Sequence, residues 1–143
     1  MIKKPEKTKL VCLIAFIIYI LIVLKLTIFR SAALYSERKL NLTLFTGLID
    51  VLRTAGIGEF LRLFLGNIGW FIPLGFLLPI LLKSKRLVTI IVIGFLFSLF
   101  IETSQFVFRK GIAEPDDLIL NTLGAAVGYL LFKFMITSRK KSS

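Results

Sequence analysis

The 143-residue chain has no histidine and one cysteine, Cys12. The first absence excludes an imidazole general base, a Ser-His-Asp or Cys-His dyad and a His-ligated zinc. The second excludes an intramolecular disulfide, a CxxC redox pair and a thiolate zinc cage. Acidic residues are scarce as well, with 8 Asp+Glu against 19 Lys+Arg and a formal net charge of +11. That charge would suit a soluble nucleic-acid binder, but the 57% hydrophobic content does not, and the same content excludes a disordered chain. The class that remains is a small integral membrane protein, a single domain over residues 1–143 with no nucleic-acid partner.

Four apolar stretches are long enough for membrane helices, which need about 20 residues each. They fall at about 10–29, 61–82, 87–108 and 118–136. The expected fold is all-α, an integral membrane four-helix bundle. Lys3, Lys4, Lys7 and Lys9 before the first stretch would also suit a signal peptide, but the apolar run exceeds a signal h-region and no small-x-small cleavage site follows, so it reads as a retained span. Cys12 in this span reads as a packed apolar residue.

Orientation follows the placement of Lys and Arg. The N-terminal tail, the turn with Lys83, Lys85 and Arg86, and the C-terminal end with Lys133, Arg139, Lys140 and Lys141 fall on one side of a four-span protein. Together they hold 11 basic residues and one acid, Glu6, while the other side holds 8 basic residues and 7 acids. The expectation is a multi-pass membrane protein with both termini cytoplasmic. The excess charge then reads as a topology signal with attraction to anionic lipid.

Of the two outward loops, the first runs from about Arg30 to Phe60. Leu44, Phe45, Leu48, Ile49, Val51 and Leu52 alternate there with Thr46, Asp50, Arg53 and Thr54, the pattern of an amphipathic helix lying at the interface. Gly56 and Gly58 are expected to break it. A cap over the bundle and a substrate contact are both open readings. The second loop, Arg109 to Asp117, is short and highly charged.

Polar side chains inside spans each cost a few kcal/mol, on the order of 3 on insertion scales, and so ask for a reason. Glu102 lies six residues before the end of the third span, about 9 Å below it at the helical rise. Ser98, Glu102, Gln105 and Arg109 follow spacings of four, three and four and share a stripe expected to face the bundle. Asp117, Asn121, Gly124 and Gly128 repeat that spacing on the fourth span. Pro115 suits a helix start, and Asp116 and Asp117 can cap free N–H groups there. Gly124, Ala125 and Gly128 allow close helix approach. The second span adds Asn67, and its Pro73 and Pro79 predict kinks; Trp70 reads as a pocket-lining residue. Because alternate spans run in opposite directions, Asn67, Glu102, Gln105, Arg109, Asp116, Asp117 and Asn121 all fall at one depth, as a candidate polar pocket open to the outside.

Four segments carry a family resemblance. They are Leu40-Asn41-Leu42-Thr43-Leu44-Phe45, Asn67-Ile68-Gly69-Trp70-Phe71-Ile72-Pro73-Leu74-Gly75, Ile101-Glu102-Thr103-Ser104-Gln105 and Glu114-Pro115-Asp116-Asp117-Leu118-Ile119-Leu120-Asn121-Thr122-Leu123-Gly124. In order and spacing, over roughly Leu40 to Leu131, the chain resembles the VanZ-like family. Leu44 stands where that family's Asn-Leu-x-Pro-Phe pattern has proline, Glu114 stands where aspartate is usual, and the pattern's basic residue is matched by either Arg109 or Lys110. The family's namesake is associated with resistance to teicoplanin, so the resemblance implies lowered teicoplanin susceptibility.

Three functional classes follow. In the first, a non-enzymatic protein binds a lipid-linked cell-envelope precursor or the glycopeptide drug, with Arg109 and Lys110 available to a pyrophosphate or carboxylate and no cofactor. In the second, a membrane enzyme acts on a lipid head group, with Glu102 as acid or base and Asp116 and Asp117 holding Mg²⁺. In the third, the Gly124/Gly128 face docks another membrane protein. Oligomeric state is not legible in the sequence.

Overall fold

The structure is a computed structural model that describes residues 4–28, 35–82 and 86–141. Phe29 and Arg30, at the expected end of the first span and start of the first loop, lie outside the described residues. So do Lys3, Lys83 and Lys85 of the topology count and the side chains of Lys4, Lys140 and Lys141.

Five helices and one short strand pair make up the described chain. Helix α1, Lys4–Thr27, carries Pro5 in its first turn, where the missing N–H would have no helical partner. Helix α2, Thr46–Thr54, is the expected amphipathic segment and buries Leu48. Helix α3, Gly56–Leu81, follows after one residue. The break is made by Gly56, whose φ of 83° lies in the left-handed region that glycine enters without steric cost. Gly58, expected to share that role, lies inside α3, so the helix starts five residues before the expected Leu61. Helix α4, Leu87–Phe108, matches its expected bounds. Helix α5, Pro115–Lys141, opens on Pro115 as its first helical residue.

Four of these helices are long and apolar enough to cross a membrane, over Glu6–Thr27, Gly56–Leu81, Leu87–Phe108 and Pro115–Arg139. The chain is a multi-pass membrane protein. Its outer surface carries large apolar side chains such as Val11, Val88, Phe100 and Phe134, which are exposed and suited to lipid contact. Helix α1 is peripheral, with only 6% of its apolar window buried. Its Val23 reaches the core formed with Phe71, Leu74, Leu78, Ile90, Ile101, Ala125 and Tyr129.

The most extensive helix contact is between α3 and α5, and it depends on glycine. A Cβ at Gly124 would stand 2.1 Å from the carbonyl oxygen of Ile68, one at Gly128 would stand 2.1 Å from that of Ile72, and one at Gly75 would stand 1.9 Å from that of Ala125. Lipid tails are as apolar as leucine, so burial alone does not drive helices together in a bilayer; close van der Waals packing over small residues does. The Gly124/Gly128 face is thereby occupied by α3 inside the chain. This corrects the reading of that face as a dock for another protein.

Helix α3 runs through both Pro73 and Pro79 without interruption. The Tyr19 hydroxyl donates to the Trp70 carbonyl at 2.7 Å, in the turn before Pro73, and such neighbours compensate weakened hydrogen bonding at membrane prolines. Trp70 is 48% exposed on the bundle's surface, which corrects its expected place in a pocket.

The fold is the expected all-α bundle, with one short strand pair added between its loops. Strand β1, Lys39–Leu40, pairs in parallel with β2, Ile112–Ala113, in the register Lys39↔Ile112 and Leu40↔Ala113. Tyr35 N donates to Arg109 O and Asn41 N to Ala113 O, each at 3.0 Å, extending the pairing on both sides. The two loops at this end of the bundle are thus strapped together.

Gly124→Leu or Gly128→Leu should force α3 and α5 apart and destabilise the fold by about 1–3 kcal/mol or more, as overpacked cores do. The check is thermal unfolding in detergent. Gly66→Ala, at a position with nothing within 4 Å of an added Cβ, should leave the melting temperature unchanged or raise it.

Candidate functional site

The polar residues of the spans gather at the end of the bundle where α3 and α5 begin and α4 ends. Two hydrogen-bond networks form there. In the deeper one, Asn67 Nδ2 of α3 donates to Asp117 Oδ1 of α5. Asn121 Nδ2 of α5 donates to Ser98 Oγ of α4 at 2.9 Å, and Ser98 Oγ reaches the Asp117 carbonyl at 3.5 Å. Ser98 and Asn121 are buried. Three spans are therefore tied by side chains whose alternative would be an unsatisfied polar group in hydrocarbon.

The second network lies beneath the loop strap. Glu102, buried on α4, accepts the backbone N–H of Glu114 at 3.2 Å. Glu114 Oε1 in turn accepts from Asn41 Nδ2 at 2.8 Å, and Asn41 Oδ1 accepts from the Thr43 N–H at 3.2 Å. Asp116, 1% exposed, takes the Phe45 N–H on both carboxylate oxygens at 2.8 Å. Phe45 is the N-cap residue of α2 and has a φ of 58°, a left-handed conformation that an aromatic residue adopts only when its surroundings hold it there. The Asp116 charge also faces the positive end of the α2 dipole. Among the described residues, no buried side-chain nitrogen or oxygen lacks a hydrogen-bond partner.

Beside this second network is a cavity of about 210 Å³, with Glu102, Thr103 and Glu114 among apolar walls that include Leu42, Leu99 and Phe106. Of the seven residues expected to form one pocket, Glu102 lines this cavity. Asn67, Asp117 and Asn121 come together in the deeper network. Gln105 and Arg109 go elsewhere. Gln105 Nε2 points to the Thr27 carbonyl at the end of α1, at 3.5 Å. Arg109 is not on the α4 stripe: it is the residue that ends the helix, with a φ of 55°. The reversal of φ turns its exposed side chain aside to the Ser36 carbonyl at 3.2 Å.

The adjacent aspartates part company. Asp116 caps the approach to α2 rather than its own helix, and Asp117 turns to Asn67. No group of three His, Cys, Asp or Glu side chains that could hold a metal ion occurs among the described residues. Asn41 was missed as a site residue, although it stands in the first of the quoted motif segments. A neutral side chain in a loop carries no desolvation signal of the kind that marks Glu102 within a span.

These motif residues converge in space, and the family comparison covers them all: the VanZ/LLP1 family pattern matches residues 16–136. The chain belongs to the VanZ/LLP1 family. Protein VanZ of Enterococcus faecium is 34% identical to it over 98 residues, which are 68% of this chain and 55% of that protein. The chain therefore spans about half the length of this curated relative. No solved structure matches it. In this VanZ/LLP1 chain, the quoted segments supply both networks: Asn41 and Phe45 from the first, Asn67 from the second, Glu102 from the third, and Glu114, Asp116, Asp117 and Asn121 from the fourth.

Replacing Asp116 by Ala should leave the Phe45 N–H unpaired and release α2, at a cost of about 1–3 kcal/mol for a lost charge-assisted hydrogen bond. Amide hydrogen exchange at Phe45 and tryptic cleavage after Arg53 should both accelerate. Asp116→Asn, which keeps one acceptor oxygen, should fall between the wild type and Asp116→Ala.

Proposed function

We propose that this VanZ/LLP1 chain is a non-enzymatic protein of the bacterial cytoplasmic membrane that engages a lipid-linked cell-envelope precursor or a glycopeptide drug and lowers teicoplanin susceptibility. In this reading both termini are cytoplasmic, as the asymmetry of Lys and Arg favours, and the polar end faces outwards. The observation that carries it is the cavity beside Glu102 and Glu114 under the strapped loops, at the level where a lipid head group leaves the bilayer. Its volume of about 210 Å³ is below the roughly 300–1,000 Å³ of pockets that enclose drug-sized ligands. That size favours part of a lipid-linked molecule over a whole glycopeptide. Binding of this kind needs no cofactor.

The enzyme reading keeps Glu102 as acid or base on a lipid head group, since Glu102 lines the cavity. The Mg²⁺ it would require on Asp116 and Asp117 draws no support from two carboxylates committed to different partners.

Two measurements test the proposal. Expressed in a sensitive bacterial host, the wild-type chain should raise the inhibitory concentration of teicoplanin several-fold over empty vector. Glu102→Gln and Asp117→Asn, at equal membrane levels, should lose that protection. Wild-type protein without any protective effect would sink the reading. For orientation, Ser36→Cys and Ser138→Cys are each made in a Cys12→Ala background. A membrane-impermeant maleimide should label position 36 on intact cells and position 138 only after permeabilisation.

A further inference from the structure

We infer that the cavity and the arginine pair above it form one binding site for a single-chain lipid pyrophosphate of the polyprenyl type. This rests on the lipid-linked reading above and specifies which part of such a molecule the protein holds.

The cavity follows one face of α4. Leu99, Glu102, Thr103 and Phe106 line it at the i, i+3, i+4, i+7 spacing of a single helix stripe, about 10 Å from first to last. Its lower wall at Leu99 is apolar and 41% exposed, and Leu42, which also lines it, is 70% exposed. The cavity thus opens sideways, towards lipid. Its upper wall, Phe106, lies under the Arg38 guanidinium, 5.9 Å from the ring centroid.

Arg38 belongs to a second concavity as well, formed with Ser36, Glu37 and Arg109. The Arg38–Phe106 contact is therefore the border at which an apolar groove meets a basic rim. Arg109 spends one guanidinium N–H on the Ser36 carbonyl, which steers the side chain and leaves further donors of its fork to an anion. Lys39, with its ammonium 4.8 Å from the centre of the Tyr35 ring, adds positive charge beside the rim. Glu37 is the acid among the four residues that line the rim.

From Leu99 upwards the wall passes Glu102 and Thr103 to Phe106, and two guanidiniums follow at the rim. A lipid pyrophosphate matches the two ends of this path, with one chain for one groove and two phosphoryl groups for two arginines. A diacyl phospholipid brings two chains and a single phosphodiester charge, and a free pyrophosphate leaves the groove unfilled. The Glu102 and Glu114 side chains lie lower on the wall, and the cationic partners for a pyrophosphate stand at the rim. The cavity takes the chain units next to the head group, while the rest of the chain stays in the bilayer.

The test is binding of polyprenyl pyrophosphate to the full chain in nanodiscs of neutral lipid, by native mass spectrometry or fluorescence titration. Polyprenol, inorganic pyrophosphate and phosphatidylglycerol serve as comparison ligands. Polyprenyl pyrophosphate should bind at least about tenfold more tightly than each of them, a factor of ten being about 1.4 kcal/mol. The double variant Arg38→Gln/Arg109→Gln should lose that preference over polyprenol. Leu99→Trp, which fills the groove from its lipid-exposed wall, should weaken the lipid pyrophosphate and leave inorganic pyrophosphate unaffected. Unchanged helical content and melting temperature would show that both variants fold. Equal affinity for polyprenol or phosphatidylglycerol, or indifference to the arginine substitutions, overturns the inference. If the lipid pyrophosphate fails to bind while wild type still protects against teicoplanin, this inference falls and the proposed function stands. If it binds through both arginines without any protection, the inference stands and the proposed function falls.

Discussion

The polar end of this protein depends on how closely α3 and α5 approach. At Gly75, Gly124 and Gly128 a backbone carbonyl of the facing helix fills the space a Cβ would need. Solvent exclusion cannot supply the attraction in a bilayer, so contact distance has to. The close approach places Asn67, the neighbour of Ile68, within hydrogen-bond reach of Asp117, two turns before Gly124 on α5. A bulkier seam would separate the amide from the carboxyl and strand both in an apolar environment, where each costs several kcal/mol, on the order of the transfer penalty for an unpaired polar group. Packing and polar pairing here are one device.

A second constraint acts on the loops. Irregular backbone near the hydrocarbon region is tolerated where the protein itself satisfies its polar groups. The strand pair between Lys39–Leu40 and Ile112–Ala113 does this for part of each loop, and side chains do the rest. Glu102 takes the N–H of Glu114, and Asp116 takes that of Phe45. The acids that would be most expensive inside a membrane are spent as acceptors for orphan backbone donors. The same arrangement holds α2 in place beside the cavity along α4.

Two features of this end therefore lie side by side but differ in kind. The deeper network of Asn67, Ser98, Asp117 and Asn121 joins three helices and is closed in on itself. The level above it combines an apolar groove, two carboxyls and a basic rim. Membership of the VanZ/LLP1 family agrees with the four motif segments, every one of which contributes to these two levels.

Much was legible in the sequence because it depends on residue type and spacing alone. Bilayer thickness translates directly into apolar run length, so the four spans emerged with α4 at its expected bounds and α5 opening on Pro115. The 3.6-residue period identified α2 and put Ser98 and Glu102 on one helix face, and opposite chain directions brought Asn67, Glu102 and Asp117 to one end. Which of these touch was decided only in three dimensions. Asp116 and Asp117 are neighbours in sequence, yet a helix turns successive side chains by about 100°, so one caps the approach to α2 and the other meets Asn67. Arg109 left its predicted stripe because a single residue of positive φ ends α4 and redirects everything after it. Asn41 and Arg38 gave no local signal, since a loop residue acquires its role from the strand register that docks it. Periodicity and hydrophobic length are properties of one segment; partnership is a property of two, set by backbone distances that no segment carries by itself.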